Sequence, residues 1–228
     1  MRRNFWLGVA VSLVCTLALG YTGINLVKAG SSTAKKQKVQ TLVSNKIPVN
    51  VGSATVTNID NRNVLTYSVN NLSNEQLTNI QVTFFIVDSS GRIKGGQGWS
   101  RDINLYAGSS EEFALPLQHN VDSADHLVLA VSRISGPTKA FEVESDEMIR
   151  AAKAVGLSRN HKFNANSMKV TVMSPDGGTA SYCSNALKTA QGACKCGVSS
   201  FSCNENTGYS FSCFGPDSCS APVEPPQN

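Results

Sequence analysis

Apolar and polar residues alternate along most of residues 47–143. The alternating apolar positions include Val49, Val51, Leu65, Tyr67, Val69, Ile80, Val82, Phe84, Ile86, Phe113, Leu115, Leu117, Leu127, Leu129 and Val131. Short stretches rich in Asn, Ser, Gly and Asp interrupt this pattern, as turns between strands do. The alternation is typical of half-buried antiparallel strands. It predicts a mainly β domain with Phe84 and Trp99 in its core.

The spacing of these segments suggests a particular β architecture. About seven short strands in about 95 residues match the size and rhythm of an immunoglobulin-like antiparallel β-sandwich. The predicted fold is therefore such a sandwich, with an N-terminal transmembrane or signal helix and a small disulfide-rich C-terminal module. Residues 94–98 (KGGQG) are predicted to form a hairpin loop, because no helix follows them as a phosphate-binding loop would require.

Part of the predicted sandwich resembles a bacterial extracellular family. Residues 64–71 (VLTYSVNN) precede a strand that ends in FFIVD at 84–88, and a turn containing Gly91 follows. Further on, residues 107–109 (AGS) precede a Phe-x-Leu strand at 113–115. This arrangement resembles the FxLYD-type immunoglobulin-like sandwich. The resemblance implies an interaction or spacer module on the envelope side of the cell rather than a catalyst.

The N-terminus has the features of an export segment. Arg2 and Arg3 precede an uncharged run over residues 5–24, which is long enough as a helix to cross the hydrocarbon core of a membrane. The two arginines favour a cytoplasmic N-terminus, with the rest of the chain translocated. Small residues at 18–20 or 27–29 would allow cleavage as a signal peptide, whereas the length of the run favours an uncleaved anchor. The sequence predicts a signal anchor or signal peptide over 1–28 and a polar linker over 29–46.

A helix and a strand are predicted to follow the sandwich, as a connector over residues 144–180. Ser145 is a capping residue, and two acidic residues follow it where the helix dipole favours negative charge. Gly156 is predicted to end this helix. Residues 168–173 (MKVTVM) alternate like a strand and lead into a turn at 175–178 (PDGG).

The last segment is rich in cysteine. Six cysteines lie within 37 residues: Cys183, Cys194, Cys196, Cys203, Cys213 and Cys219. An even number of cysteines downstream of an export signal indicates three disulfides, which would stabilise a stretch with few bulky apolar residues. Six cysteines allow fifteen pairings, and the sequence does not choose among them. Cys194 and Cys196 are expected to bond to different partners. A disulfide module is predicted over 181–220, followed by a disordered tail over 221–228.

Two other functions of the cysteines are also considered, a redox pair and a zinc site. A thiol–disulfide redox protein would use Cys194 and Cys196 as its pair, although a redox pair is usually Cys-x-x-Cys before a helix. A zinc site would normally show two Cys-x-x-Cys pairs or nearby histidines, and no histidine follows His161. We therefore predict no metal site and no cofactor, with redox chemistry as the alternative function.

The distribution of charge and the motifs of the sequence bear on two further functions, nucleic-acid binding and catalysis. The basic excess behind the net charge of +4 lies in residues 1–40, which carry six Lys or Arg and no acid, and in residues 146–173. Residues 41–145, by contrast, carry seven basic and ten acidic residues. A nucleic-acid partner is rejected, because a nucleic-acid-binding domain concentrates basic residues on a folded face. Neither a nucleophile turn nor a phosphate loop occurs, so no catalytic residue is predicted. We expect a non-catalytic binding or structural module in the cell envelope, anchored through residues 5–24. Its partner would be a protein or envelope component of unknown identity.

Overall fold

The computed structural model of the 228-residue chain describes residues 36–157, 165–174 and 182–219. The predicted signal or anchor segment, the first part of the predicted linker, the turn at 175–178 and the tail at 221–228 lie outside these residues. No helix in the described ranges is both long enough and apolar enough to span a bilayer.

The described residues are mainly β, as predicted. The strands are β1 Lys36–Leu42, β2 Val49–Val51, β3 Ala54–Ile59, β4 Arg62–Asn71, β5 Leu77–Val87, β6 Ile93–Leu105, β7 Ser110–Pro116, β8 His126–Ser135, β9 Ala140–Val143, β10 Val170–Met173, β11 Val198–Asn204 and β12 Gly208–Cys213. The α-helices are α1 Ser145–Leu157 and α2 Tyr182–Ala193, and short 3-10 helices cover Ala165–Ser167 and Pro216–Cys219.

Strand β1 connects two groups of strands. Its first half pairs antiparallel with β3, and its second half pairs parallel with β8. In the first group, β4 pairs with β2, β3 and β7. In the second group, the order is β11-β12-β6-β5-β8, with β9 pairing to β8 and β10 pairing to β9. All connections other than β1–β8 are antiparallel.

The predicted linker over 29–46 is wrong for residues 36–42, which form β1. Only Val39 and Leu42 in this strand are buried, and they are separated by exposed or half-buried polar residues. The segment therefore lacks the apolar alternation by which the other strands are recognised. Residues 36–42 form a strand because their backbone pairs with both β3 and β8, and not because of their own amino-acid composition.

The apolar core follows the predicted alternation where one face of a strand is covered. Leu65, Tyr67 and Val69 are buried on β4, and the predicted core residue Trp99 is buried on β6. In β5, however, Phe84 and Phe85 are both fully buried. Consecutive residues can be buried there because α1 packs on β5 and β8 and covers the second face of the sheet.

Helix α1 confirms the predicted helix start at Ser145, but the predicted end at Gly156 is one residue short. Gly156 lies inside the last turn, where a Cβ would come within 2.5 Å of the Val87 side chain and 2.7 Å of the Asp88 carbonyl oxygen. The glycine therefore allows the helix to approach the end of β5 closely, instead of ending the helix.

The predicted hairpin loop at residues 94–98 is wrong, because these residues lie within β6. On its outer edge β6 pairs with β12, so that Gly98 lies opposite Tyr209 and Gly96 lies opposite Phe211. A Cβ on Gly98 would overlap the Tyr209 ring, and a Cβ on Gly96 would come within 2.8 Å of the Phe211 ring. The glycines thus form a slot that accommodates two aromatic rings. The sequence alone does not show whether glycines serve close packing of this kind or a flexible turn.

The C-terminal cysteine-rich segment is joined to the sheet instead of standing as a separate module. Strands β11 and β12 form a hairpin whose second strand extends the sheet at β6. Phe211 and Tyr209 belong to the same apolar core as the residues of β5 and β8. The hairpin covers the backbone edge of β6, which would otherwise be open to pairing with another chain.

Asn71 contributes a buried hydrogen-bonding centre near the ends of β4 and β6. Its side-chain nitrogen donates to the carbonyl oxygens of Glu75 at 2.8 Å and Leu105 at 3.0 Å. Its side-chain oxygen accepts from the backbone nitrogen of Ser73 at 2.8 Å and from the Ser73 hydroxyl at 2.7 Å. Asn71 heads an Asn-Leu-Ser sequence, but its side chain is fully buried and already bonded, so it is not accessible for glycosylation in the folded protein.

Replacing Asn71 with alanine is expected to lower the free energy of unfolding by about 2 kcal/mol, because buried partners lose their hydrogen bonds. Urea unfolding followed by Trp fluorescence measures the change. The matched control is Asn206→Ala at an exposed turn, for which we expect a change within about 0.5 kcal/mol. Equal effects of the two substitutions would contradict the structural role of Asn71.

Candidate functional site

A small cavity of about 60 Å³ lies where both helices meet the sheet. We call it the polar chamber. Its lining comes from β5, β8, β9, β12 and both helices: Gln81, Val82, Thr83, Ser132, Arg133, Glu142, Val143, Ser145, Met148, Tyr182, Asn185, Ala186, Thr189 and Tyr209. Most of these side chains carry hydrogen-bonding groups, so the cavity differs from a packing defect in an apolar core.

Two hydroxyl pairs organise the inner wall of the polar chamber. The Thr83 hydroxyl and the Tyr209 hydroxyl are 3.0 Å apart, and both residues are buried. The Ser145 and Thr189 hydroxyls are 2.9 Å apart and join the start of α1 to the middle of α2. Thr189 also hydrogen-bonds to the Asn185 carbonyl oxygen at 3.0 Å. These bonds hold both helices and β12 in fixed positions around the cavity.

Two buried polar atoms of the polar chamber have no hydrogen-bond partner within the described residues. They are the Tyr182 hydroxyl oxygen and Oε2 of Glu142. Arg133 Nη1 lies 3.7 Å from Glu142 Oε2, which is an ion pair but too long for a hydrogen bond. Buried polar groups are nearly always hydrogen-bonded, and those that are not call for an explanation. Both atoms lie in the wall of one cavity, which makes this cavity the candidate binding site.

An irregularity in the sheet shapes this wall. Gln81 pairs with Arg133 and Val82 pairs with Val131, so that Ser132 is an extra residue in β8. Such a bulge re-aims the neighbouring side chains and is over-represented next to functional sites. Ser132 and Arg133 both line the polar chamber.

A larger pocket of about 280 Å³ adjoins the polar chamber on its outer side. We call this pocket the vestibule. It shares Glu142, Val143, Ser145 and Asn185 with the polar chamber, and its other lining residues are Glu144, Thr171 and Met173. The two cavities are therefore neighbours on either side of these four shared residues, and the vestibule is the larger of the two.

Tyr182 and Tyr209 stay protonated in this site. Burial raises the pKa of Tyr209 to about 12, although its hydrogen bonds to Thr83 and Thr189 act in the opposite direction. Burial also raises the pKa of Tyr182 well above its ordinary value. Both hydroxyls are therefore available as hydrogen-bond donors throughout the physiological pH range.

The raised tyrosine pKa values predict a loss of stability at alkaline pH. Unfolded tyrosine titrates at 10.0, below the folded pKa of Tyr209, so the unfolded chain releases this proton first. The stabilisation is complete below pH 10 and is lost as the pH rises toward about 12, at up to about 1.4 kcal/mol per pH unit. Urea unfolding at about pH 9 and about pH 11.5 measures it, and Tyr209→Phe should give a shallower dependence. An equal pH dependence in both proteins would contradict the assignment to Tyr209.

A third cavity is a groove of about 1120 Å³ along β1. Residues of β1, the loop between β2 and β3 and the start of β8 line it, including Lys36, Lys38 and Asp125. Asp125 is bound at 2.9 Å by Lys94, and its carbonyl oxygen accepts from Gln37 at 2.8 Å. No described lining residue of this groove has a buried polar atom without a partner. The unpartnered atoms therefore favour the polar chamber over the groove as a ligand site.

The six cysteines predicted to form disulfides all do so. The bonds are Cys183–Cys203, Cys194–Cys213 and Cys196–Cys219. Cys194 and Cys196 bond to different partners, as predicted, and not to each other. All three bonds connect residues of the C-terminal segment, and none of the six cysteines lines the polar chamber. The structure thus places the cysteines beside the candidate site instead of within it.

Sequence analysis did not identify the residues of the polar chamber. Thr83, Glu142, Tyr182 and Tyr209 belong to no motif and are far apart in the sequence. A weak signal was present at Tyr182 and Tyr209, which are polar aromatic residues in an otherwise small-residue, cysteine-rich segment. Helix α2, which carries Tyr182 and Thr189, was not predicted either.

The chain was compared with known protein families, with curated proteins and with solved structures. No family model matches it, no curated protein matches it, and no solved structure matches it.

Proposed function

We propose that this protein is an exported, non-catalytic binding module that acts outside the cytoplasmic membrane and is anchored through residues 5–24. Its ligand binds in the polar chamber and the vestibule. The single observation that carries this proposal is the presence of two unpartnered buried polar atoms, on Tyr182 and Glu142, in the lining of one cavity that adjoins a second. A site of this kind is preorganised for a ligand that completes the hydrogen bonds.

The proposed fold is an immunoglobulin-like sandwich with a C-terminal extension. The order of pairing supports it, because β3-β4-β7 form one series and β9-β8-β5-β6 form the other. These series correspond to the strands A-B-E and G-F-C-C′ of immunoglobulin-like domains. The hairpin β11–β12 would then be an added element at the C′ edge. The FxLYD-type resemblance of about residues 47–143 agrees with this proposal.

The three disulfides suggest an oxidising, extracytoplasmic environment. The wall of the polar chamber supplies hydroxyl groups, amides and one ion pair, which suits recognition of a polar group. The proposed partner is a protein or another component of the cell envelope.

The binding proposal is tested by a fragment screen with ligand-observed NMR on the oxidised, detergent-solubilised full chain. Thr171→Trp fills the vestibule from an exposed strand position, so that it blocks entry without a change in the core. The matched control is Thr55→Trp, which changes an outward-facing residue of β3 in the groove along β1. Fragments whose binding is lost in Thr171→Trp and kept in Thr55→Trp support the proposal. A screen with no such fragment overturns it.

The oxidation state and the N-terminus are tested by intact mass, with and without reduction, after alkylation of protein purified from the cell envelope. We expect no alkylation of the six C-terminal cysteines before reduction and six additional alkylations after it. An unprocessed N-terminus supports the anchor, and its loss would make the protein secreted. Alkylation of Cys194 or Cys196 in the native protein would favour the alternative redox function.

A further inference from the structure

We propose that the vestibule and the polar chamber receive the primary carboxamide of a glutamine side chain, carried by an extended peptide that lies along the edge of β10 with which no described strand pairs. This inference rests on the proposed function and names the chemistry of its ligand.

The two unpartnered atoms define what the ligand must offer. A carboxylate oxygen accepts hydrogen bonds and cannot donate, so Oε2 of Glu142 requires a donor on the ligand. The Tyr182 hydroxyl is protonated and can donate to an acceptor. A primary carboxamide carries N–H donors and a carbonyl acceptor on two atoms bonded to the same carbon, and it therefore offers the complement of both groups.

The ion pair in the wall of the polar chamber disfavours a ligand with a carboxylate or an ammonium group in place of the carboxamide. Glu142 and Arg133 form an ion pair, so the inner wall has no net charge to offset a buried ionic ligand. A carboxylate ligand would be attracted by Arg133 but repelled by Glu142, and an ammonium ligand would meet the reverse, so neither ion gains a net electrostatic stabilisation from this pair. Burial of an uncompensated charge costs much more than burial of a hydrogen-bonded amide. A neutral carboxamide is the group that this wall favours.

The sizes of the two cavities limit how much of the ligand each can hold. A cavity needs roughly 10–15 Å³ of volume, measured in the same way as here, to hold one water molecule. The polar chamber, with about 60 Å³, therefore holds a few heavy atoms, which matches a carboxamide and is too small for a whole amino acid. The remainder of the ligand lies in the vestibule of about 280 Å³. Met173 and Val143 line it and offer apolar contacts to the two methylene groups of a glutamine stem.

Strand β10 offers hydrogen-bonding partners to the main chain of a bound peptide. Among the described strands β10 pairs with β9 alone, so its other edge presents backbone N–H and carbonyl groups. Thr171 and Met173 alternate along this strand and both line the vestibule. Addition of an extended peptide to a free strand edge, with side chains in adjacent pockets, is a common mode of peptide recognition. A free amide molecule would use the polar chamber but not this edge.

The test measures affinity of the oxidised full chain in detergent for labelled five-residue peptides with blocked ends. One peptide has glutamine at its centre, flanked by valine and threonine, and the matched peptide has glutamate there. We expect the glutamine peptide to bind at least about tenfold more tightly than the glutamate peptide. We also expect free acetamide to compete only at far higher concentration.

Variants connect this affinity to the polar chamber. Tyr182→Phe removes the unpartnered hydroxyl and keeps the ring, and it should weaken binding of the glutamine peptide about tenfold. Tyr106→Phe, at an exposed tyrosine outside both cavities, is the matched control and should leave the affinity unchanged. Tyr182→Phe should fold normally, because the hydroxyl that it removes has no partner in the protein.

Several outcomes would overturn the inference. Equal affinity for the two peptides would exclude carboxamide recognition, and acetamide binding as tight as the glutamine peptide would exclude the peptide. Unchanged affinity in Tyr182→Phe would place the ligand elsewhere. Absence of peptide binding, together with fragments that Thr171→Trp displaces, would overturn the glutamine inference alone and leave the proposed function in place.

Discussion

Gly98→Ala is expected to lower the free energy of unfolding by about 3 kcal/mol or more, the largest effect of any single substitution considered for this protein. The added methyl group would overlap three carbon atoms of the Tyr209 ring. That ring cannot move away freely, because Tyr209 is buried and its hydroxyl is held by Thr83 at 3.0 Å. The substitution must therefore displace β12 from β6 or break the hydroxyl pair of the polar chamber.

The measurement is urea unfolding of oxidised protein, followed by tryptophan fluorescence, to which Trp99 beside Gly98 contributes. Gly215→Ala is the matched control, because a Cβ at Gly215 meets no atom within 4 Å and its backbone is not left-handed. We expect the control to change stability by less than about 0.5 kcal/mol. A double variant that combines Gly98→Ala with Tyr209→Leu should be destabilised by less than the sum of the two single variants, since a smaller side chain opposite the added methyl group relieves the overlap. Equal destabilisation by the two glycine substitutions would show that the aromatic slot is not the cause.

Removal of the Cys194–Cys213 disulfide by a double substitution to alanine is expected to cost about 2–5 kcal/mol. This bond joins the end of α2 to the end of β12 across a separation of 19 residues. Cys194 is buried and belongs to the apolar core, so its replacement also leaves space in that core. The loss should therefore include a packing contribution in addition to the constraint on the unfolded chain.

Removal of the Cys196–Cys219 disulfide provides the comparison. Its separation of 23 residues is similar, so the chain-entropy model assigns both bonds nearly the same stabilisation. Cys219, however, is exposed in a terminal 3-10 helix with no buried residue. Loss of this bond should let that helix detach locally, at a cost at least about 1 kcal/mol smaller than loss of Cys194–Cys213. Thermal and urea unfolding of both double variants measures the difference, and a larger effect at Cys196–Cys219 would contradict the assignment.

The amino-acid sequence determined the strands whose signal is local. In β4 and over residues 80–84 of β5, apolar side chains recur at every second residue because one face of each strand meets the core. The start of α1 was also predictable, since a capping serine and two acidic residues act within a single turn. The number of disulfides followed from the count of cysteines and the predicted export signal. Each of these inferences depends on residues close together in the chain or on composition alone.

Other elements carried no local signal. Strand β1 appeared polar because only Val39 and Leu42 are buried, and the glycines of β6 appeared to be a loop because their partners lie in β12. Helix α2 was missed because its buried residues are small, with Ala186, Ala190 and Ala193 facing the core. Each of these elements is stabilised by contacts with residues that are distant in the sequence, so its own residues do not reveal it.

The candidate site shows the same division most clearly. The sequence by itself determined that the chain is mainly β and that a cysteine-rich segment is closed by disulfides. Only the tertiary structure decided that Thr83 and Tyr209, which are 126 residues apart, hold one wall of the polar chamber, while Glu142 and Tyr182 leave hydrogen-bonding capacity unused inside it. The physical reason is that alternation and capping act between neighbours in the chain, whereas a cavity is formed by elements that meet only after the sheet and helices have packed.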